Sequence, residues 1–204
     1  MNPTLQECYD GFADTYDANR GLFDMGPVFE DFWQRLARNQ GDALDLGCGA
    51  GEPFAKNFIE RGWNVTGVDF SARMLQLAER YVPAMRRIHA DMGTVSFAPA
   101  SFDAVTAVYS LFHLPRVRHA ALFRDIRTWL RPGGKLLFTY ATRHYTGAES
   151  FDGHIEFMGR PLYYSHDTPQ RLRALLAEAG LVIEDEAWRD IGGETFLWVT
   201  AARE

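Results

Sequence analysis

Cysteine, long apolar runs and basic clusters are all scarce in this chain of 204 residues. Its two cysteines, Cys8 and Cys48, are too few and too isolated for a disulfide framework or a zinc site, which favours a reducing cytoplasm. No apolar run approaches the roughly 20 residues that a membrane-spanning helix needs. The first residues carry neither the basic segment nor the apolar core of a signal peptide. We therefore expect a cytoplasmic protein without a membrane partner.

The charge balance and the histidines argue against two further classes of function. The formal net charge is −6 and no basic block is present, which disfavours nucleic acid as the main substrate. The histidines form no His-x-x-x-His pair, so we expect no catalytic metal. Because 47% of the residues are hydrophobic, we expect one α/β domain with a large core over residues 1–204. The oligomeric state is left open.

The pattern of residues 43–53 is a short apolar strand that ends in a cluster of glycines. These glycines stand at alternating positions, Gly47, Gly49 and Gly51, and a helical pattern begins immediately after them. Glycines at a strand-to-helix turn allow positive φ and let a ligand lie against the backbone. Asp69 ends the next apolar run, about 20 residues further on, where a carboxylate is well placed to accept both hydroxyls of a ribose. These features predict a cofactor that contains a nucleoside.

The spacing of the glycines distinguishes between nucleoside cofactors. Dinucleotide-binding enzymes use Gly-x-Gly-x-x-Gly, which brings the N-terminus of a helix to a pyrophosphate. Glu52 stands where the third glycine of that motif belongs, and its carboxylate would repel a pyrophosphate. Asp45, just before the turn, adds a second anion that suits a cationic ligand. A dinucleotide site and a turn without any ligand stay open as alternatives.

The Asp-x-Gly-x-Gly-x-Gly arrangement at residues 45–51 resembles the cofactor motif of class I S-adenosylmethionine-dependent methyltransferases. Further motifs follow in the order found in that family: Asp91-Met92 after a third strand, residues 110–115 after a fourth, and Leu-Arg-Pro-Gly-Gly-Lys-Leu-Leu at 130–137. The resemblance covers roughly residues 9–142. It implies a doubly wound, Rossmann-like α/β fold. Its seven-stranded sheet would be mostly parallel with an antiparallel C-terminal edge hairpin, and the cofactor would be S-adenosylmethionine.

The resemblance also implies roles for residues at the strand tips. Asp69 would bind the ribose, Asp91 the adenine amino group, and the backbone amide of Met92 a ring nitrogen of the adenine. The cofactor-binding residues that we expect are Asp45, Gly47, Gly49, Asp69, Phe70, Met74, Asp91, Met92 and Tyr109. Some have ordinary alternatives: Phe70 and Met74 also suit a core, Asp69 a solvated strand end, and Asp91 a turn.

Two stretches flank the strand motifs and are expected to cover the site. Residues 1–40 are expected to form an N-terminal helical cap, with helices over 4–17 and 28–36 and a break that includes Gly21. In the family that this resembles, the cap lies over the cofactor, and a tyrosine of the Tyr-Asp repeat faces the methyl donor. Residues 143–166 are an aromatic-rich insert of weak periodicity, interpreted as a cover over the substrate. A capped helix and two strands, at 181–183 and 195–199, follow.

Methyl transfer from a sulfonium requires the nucleophile, the carbon and the sulfur to be held in line, with water excluded and sometimes a proton removed. His113, after the fourth strand, and His144, after the fifth, are candidate bases, because a histidine of ordinary pKa accepts protons at neutral pH. Tyr16 is the third catalytic candidate. Packing or surface roles stay open for each.

The sequence thus predicts methyl transfer to a small, planar or apolar molecule. The alternatives are a nucleotide-dependent oxidoreductase and a non-catalytic regulatory protein that binds S-adenosylmethionine.

Overall fold

The computed structural model describes residues 4–19, 24–157 and 159–204. Residues 1–3 and 20–23 of the expected cap, with its break at Gly21, and Met158 of the expected insert lie outside the described residues. The strands are Asp42–Leu46 (β1), Asn64–Asp69 (β2), Arg86–His89 (β3), Phe102–Ala107 (β4), Leu130–Tyr140 (β5), Phe151–Phe157 (β6), Arg160–His166 (β7), Leu181–Ile191 (β8) and Glu194–Arg203 (β9). The α-helices are Leu5–Ala18 (α1), Gly26–Gln34 (α2), Phe54–Glu60 (α3), Ala72–Tyr81 (α4), His119–Trp129 (α5), Arg143–Thr146 (α6) and Pro169–Ala179 (α7).

Seven strands of the described chain form one sheet in the order β3-β2-β1-β4-β5-β9-β8. The pairs from β3 to β5 are parallel, whereas β9 runs antiparallel to both β5 and β8. The expected fold is therefore confirmed, including the antiparallel C-terminal edge. The chain order reverses between β1 and β4, so the carboxyl ends of these two strands border the crevice where such sheets bind ligands.

Helices cover both faces of this sheet because the central strands are apolar on both sides. Every residue of β4 is buried. Leu44 and Leu46 pack in one cluster with Phe123 of α5, whereas Ala43, which directly precedes Leu44, packs in a second cluster with Phe58 of α3. Alternate side chains of a strand point to opposite faces, so the two clusters lie on opposite sides of the sheet.

Helix α1 lies over the carboxyl end of the sheet between α4 and the β6–β7 hairpin. A capping box starts it, in which the Thr4 hydroxyl accepts from the backbone of Glu7 and the Glu7 carboxylate accepts from the backbone of Thr4. Three aspartates on one face of α1 accept hydrogen bonds from α4 and its N-cap Ser71: Asp10 from Ser71, Asp14 from Arg73 and Asp17 from Tyr81. The apolar face packs on the hairpin, where the Phe12 and Phe157 rings meet edge to face at 5.9 Å.

The expectation of weak periodicity over residues 143–166 was wrong. This stretch forms α6 and then strands β6 and β7, which pair antiparallel as a separate two-stranded sheet. The half-buried positions of β6 are Phe151, Gly153, Ile155 and Phe157, and the residues between them are exposed. That alternation has the period of a strand.

Within the described residues, no helix is both long enough and apolar enough to cross a bilayer.

Candidate active site

The glycine turn after β1 leaves one stretch of backbone open. Gly47, Gly49 and Gly51 all have positive φ, at +73°, +51° and +81°. A Cβ on Gly47 would lie 2.3 Å from Cβ of Ser110, and one on Gly51 would lie 2.8 Å from a methyl group of Val82. A Cβ on Gly49 would meet nothing within 4 Å. Two of the glycines are therefore required by packing within the protein, and Gly49 is the one beside which a ligand has room.

Asp69 fixes this turn against the tip of β2. Its carboxylate accepts from the backbone N–H of Gly49 at 2.8 Å and from that of Ser71 at 2.8 Å. A carboxylate has about four lone-pair positions, so two hydroxyl donors can still be accommodated. The side chain is buried, and this burial raises the pKa of Asp69 to about 6.

Asp45 places a second buried carboxylate beside the same turn. It accepts from the Thr106 hydroxyl of β4 at 2.6 Å. Burial, with a further contribution from Asp69, raises the pKa of Asp45 to about 6. In the described part of the chain, neither carboxylate pairs with a lysine or arginine. Buried anions without a cationic partner are costly, so the turn favours a ligand that carries positive charge.

Tyr109 follows β4 in a strained backbone conformation. Its φ is +52°, a region that non-glycine residues enter at a cost of about 1–3 kcal/mol and that concentrates at functional sites. The backbone N–H of Tyr109 donates to the Thr139 hydroxyl of β5 at 2.6 Å, and its ring packs edge to face on Phe196 and Trp198 of β9. This strained residue turns the chain from β4 toward the 3₁₀ turn at Leu111–His113.

His113 joins three distant segments through its imidazole. Because a carbonyl only accepts, Nδ1 carries the proton and donates to the Tyr163 carbonyl of β7 at 2.6 Å. Nε2 then accepts from the Tyr9 hydroxyl of α1 at 2.7 Å. Burial lowers the pKa of His113 to about 4. The expectation of an ordinary histidine pKa at this position is therefore corrected, because both nitrogens are engaged and the ring is neutral at pH 7. The catalytic role of His113 stays a prediction.

Comparison with known proteins places the chain in a family. Residues 43–134 match the family described as "Methyltransferase domain". A ubiquinone biosynthesis O-methyltransferase from Chromobacterium violaceum is 33% identical over 129 residues, which are 60% of this chain and 54% of that protein. One from Xylella fastidiosa is 27% identical over 88% of this chain and 79% of that protein. A solved S-adenosylmethionine-dependent methyltransferase from Mesorhizobium loti superposes with a TM-score of 0.72 at 22% identity, over 88% of this chain and 97% of that one. The chain belongs to the class I S-adenosylmethionine-dependent methyltransferases.

This membership confirms the predicted family, and with it the prediction of an enzyme whose cofactor is S-adenosylmethionine. The likeness to the solved structure shows the fold alone. This chain spans about half, 54%, of the length of the Chromobacterium violaceum protein. The activity of that protein therefore does not define the methyl acceptor of this chain. The turn itself fits the cofactor, because open backbone at Gly49 stands beside two carboxylates that suit a sulfonium and an ammonium group.

The remaining residues expected to bind the cofactor of the methyltransferase surround the tips of β2 and β3. Phe70 is half-buried, with its ring edge to face on that of Tyr9 at 5.5 Å. Met74 is buried in the first turn of α4, and Met92 is buried with its methyl group 3.3 Å from where a Cβ on Gly47 would lie. Asp91 is exposed and accepts from the backbone N–H of Gly93 at 2.7 Å, so it serves the turn after β3.

The structure does not bring His144 or Tyr16 into contact with His113. His144 is exposed in α6, and its ring lies 4.5 Å from that of Trp188 on the edge strand β8. Tyr16 is 39% exposed near the end of α1. Their catalytic roles in the methyltransferase stay predictions.

Tyr16 is the tyrosine that the sequence analysis proposed as catalytic, and Glu194 was not among its candidates. Tyr9 belongs to the same Tyr-Asp repeat as Tyr16, but only its contact with His113 distinguishes the two. Glu194, at the start of β9, accepts from the Tyr145 hydroxyl at 3.3 Å, and this hydroxyl lies 3.2 Å from that of Tyr164. No motif surrounds Glu194 in the sequence, so no local signal could have found it.

Proposed function

We propose that this methyltransferase moves the methyl group of S-adenosylmethionine to a small, planar or apolar acceptor by in-line displacement. The observation that carries the proposal is the open backbone at Gly49 held against the buried carboxylate of Asp69. When bound, S-adenosylmethionine supplies a methyl carbon that its positive sulfur has already activated. The protein then mainly has to orient the acceptor and exclude water.

On the cofactor side, we assign the ribose hydroxyls to Asp69, whose lone pairs are only partly used by the two backbone donors. Asp45 offsets the positive charge of the ligand. Phe70 and Met74 border the nucleoside, and Asp91 and the backbone of Met92 meet the adenine. Gly47 shapes the turn, and the strained Tyr109 marks the boundary between the cofactor and the acceptor.

On the acceptor side, we place the methyl acceptor beyond the tips of β4 and β5, under α1 and the β6–β7 hairpin. Aromatic side chains line this cover, and such walls grip planar or apolar surfaces. Phe112, Tyr164 and Phe196 stack nearly parallel there, at interplanar angles of 12° and 20°. The quinone-related names of the matched relatives support an acceptor of this kind. His113 positions Tyr9, whereas proton transfer by His144 or Tyr16 is left to substitution experiments.

Two broader assignments complete the proposal. We infer a cytoplasmic enzyme, because both cysteines are buried and unbridged, as a reducing compartment would keep them. We also infer that its partner is a small molecule rather than a nucleic acid, in keeping with the net charge of −6.

Titration calorimetry with S-adenosylhomocysteine and with NADH tests the proposal. We expect the first to bind and the second to give no heat. Formation of S-adenosylhomocysteine from S-adenosylmethionine over a panel of small acceptors then measures transfer. Binding of NADH alone would establish the oxidoreductase alternative. Tight cofactor binding without transfer to any acceptor would instead favour the regulatory alternative.

A further inference from the structure

A continuous row of polar side chains leads from the proposed ribose site to Glu194. Next to Asp69, the ring of Phe70 contacts Tyr9, whose hydroxyl bonds to His113. The His113 ring lies 4.8 Å from that of Tyr164, and the Tyr164 hydroxyl lies 3.2 Å from that of Tyr145, the donor to Glu194. We call these five side chains the Tyr9–Glu194 row: Tyr9, His113, Tyr164, Tyr145 and Glu194.

Glu194 lies at the same end of the sheet as the cofactor turn. It is the first residue of β9, which runs antiparallel to β5, so the amino end of β9 lies beside the carboxyl end of β5. Leu197 is paired with Tyr140, the last residue of β5, and Glu194 therefore extends past the tip of that strand. The carboxylate is placed on the β4–β5 side of the crevice, where the acceptor is proposed to bind.

The side chains of the row offer a ligand more hydrogen-bond acceptors than donors. The proton of Tyr9 goes to His113, the Nδ1 proton of His113 goes to a backbone carbonyl, and the proton of Tyr145 goes to Glu194. In the described part of the chain, no lysine or arginine hydrogen-bonds to a side chain of the row. Lone pairs of Tyr9 and Glu194 are thus left for a ligand, which suits a group that brings its own proton.

Glu194 is the one carboxylate of the row. The described side chains that face it electrostatically are tyrosines from four segments: Tyr9 of α1, Tyr109 after β4, Tyr145 of α6 and Tyr164 of β7. Burial raises the pKa of each of these tyrosines, so all stay protonated at neutral pH. Burial also raises the pKa of Glu194, which makes its carboxylate a better proton acceptor than an exposed one.

We infer that Glu194 is the proton acceptor of the reaction, and that the methyl acceptor is a small neutral molecule whose attacking oxygen or nitrogen carries a hydrogen. This inference rests on the proposed function. As the oxygen or nitrogen forms its bond to the methyl carbon, the carbon–sulfur bond breaks and its electron pair stays on sulfur. The hydrogen leaves the attacking atom as a proton and binds the Glu194 carboxylate. Tyr145 positions that carboxylate. The Tyr9 hydroxyl accepts a further hydrogen bond from the ligand, in addition to the one that the attacking atom donates to Glu194.

The test compares Glu194→Gln with the wild type and with Glu178→Gln, an exposed glutamate that pairs with Arg171 on α7. The probes are catechol and hydroquinone for ring hydroxyls, aniline and 4-methylaniline for amines, and benzoate and thiophenol as contrasting acceptors. With the best hydroxyl or amine probe, Glu194→Gln is expected to lower kcat by about 100-fold and to change KM less than about threefold. At saturating S-adenosylmethionine, its kcat should lose the acidic limb of the pH profile, while Glu178→Gln behaves as the wild type.

Titration of S-adenosylhomocysteine separates this inference from the proposed function. Glu194→Gln should bind it as the wild type does, which also shows that the variant is folded. A wild type that binds no S-adenosylhomocysteine overturns the proposed function and this inference with it. A wild type that binds it and methylates benzoate or thiophenol, but no hydroxyl or amine probe, overturns only the inference. Full activity in Glu194→Gln also overturns the inference. So does a loss of S-adenosylhomocysteine binding by the folded Glu194→Gln variant.

Glu194→Asp keeps a carboxylate and provides the second variant. It should retain more kcat than Glu194→Gln and should keep an acidic limb in its pH profile. If Glu194→Gln does not fold, this profile decides: a limb displaced from that of the wild type supports Glu194 as the proton acceptor. A limb at the wild-type position places the titrating group elsewhere and overturns the inference.

Discussion

The carboxylate of Asp69 accepts a hydrogen bond from the backbone N–H of Gly49 at 2.8 Å. Two strands that are adjacent in the sheet are thereby connected at their tips, and Gly49, the glycine of this turn that lies beside open space, is held by the residue proposed to bind the ribose. The same contact makes the turn sensitive to the charge of Asp69.

Asp69→Ala is expected to weaken S-adenosylhomocysteine binding by about 1–3 kcal/mol, because charge-assisted hydrogen bonds to the ribose are lost. Titration calorimetry measures the change. Asp125→Ala, at an exposed position of α5, is the matched control and should bind normally. An unchanged affinity in Asp69→Ala would show that the ribose lies elsewhere.

Gly49→Ala should lose cofactor affinity while the protein stays folded. Its new methyl group meets no protein atom within 4 Å, so it enters the space proposed for the ligand. Gly133→Ala is the control, since Gly133 also has positive φ, +78°, and open space around it, but lies away from the turn. Each substitution should cost about 1 kcal/mol of unfolding free energy from backbone strain. Only Gly49→Ala should weaken S-adenosylhomocysteine binding, by about tenfold or more, and equal affinities in both variants would contradict this.

Gly47→Ala should instead act on folding. The added Cβ would lie 2.3 Å from that of Ser110, whose hydroxyl donates to the carbonyl of Leu46 at 2.7 Å and is fixed in place. Overpacking of this kind typically costs about 1–3 kcal/mol. Chemical denaturation should show a loss of this size, beyond that of Gly49→Ala. Equal stability in the two variants would mean that Ser110 moves aside.

Binding of S-adenosylmethionine should weaken as the pH falls through about 6. Burial raises the pKa of Asp45 and Asp69 to about 6 in the protein without ligand, so both are largely charged at pH 7.5 and largely neutral at pH 5. A cationic ligand favours the charged forms. Calorimetric titrations at these two pH values should show the loss of affinity. An affinity independent of pH would show that the two carboxylates do not interact with the positive charge of the ligand.

Asp45→Asn should stabilise the protein without ligand at neutral pH and weaken its binding of S-adenosylmethionine. A carboxyl whose pKa is raised on folding, here from 3.8 to about 6, binds more protons in the folded state between these values. Its contribution to stability is therefore lost as the pH rises through that window. Each pKa unit corresponds to about 1.4 kcal/mol, and we expect a net gain of about 1–2 kcal/mol at pH 7.5, because the new amide nitrogen is itself buried. Denaturation at pH 4 should show no such gain.

Much of this protein follows from local sequence patterns. Strand β4 is buried at every residue, and its apolar run predicts that. The positive φ of Gly49 and the position of Asp69 at a strand tip are likewise consequences of a few neighbouring residues. The β6–β7 hairpin could also have been predicted, since half-buried and exposed residues alternate from Phe151 to Phe157 as they do in a strand.

The sequence by itself determined the order along the chain of the seven strands of the main sheet, the glycine turn after β1 and the family, because each depends on residues close together in the chain. Only the tertiary structure decided which side chains meet around the proposed acceptor site. Tyr9 donates to His113 across 104 positions, and Tyr145 donates to Glu194 across 49. Such contacts exist only after the sheet and its cover have brought distant segments together. Burial in that assembled site, and not the residue types, then sets the charge states of His113, Asp45 and Asp69.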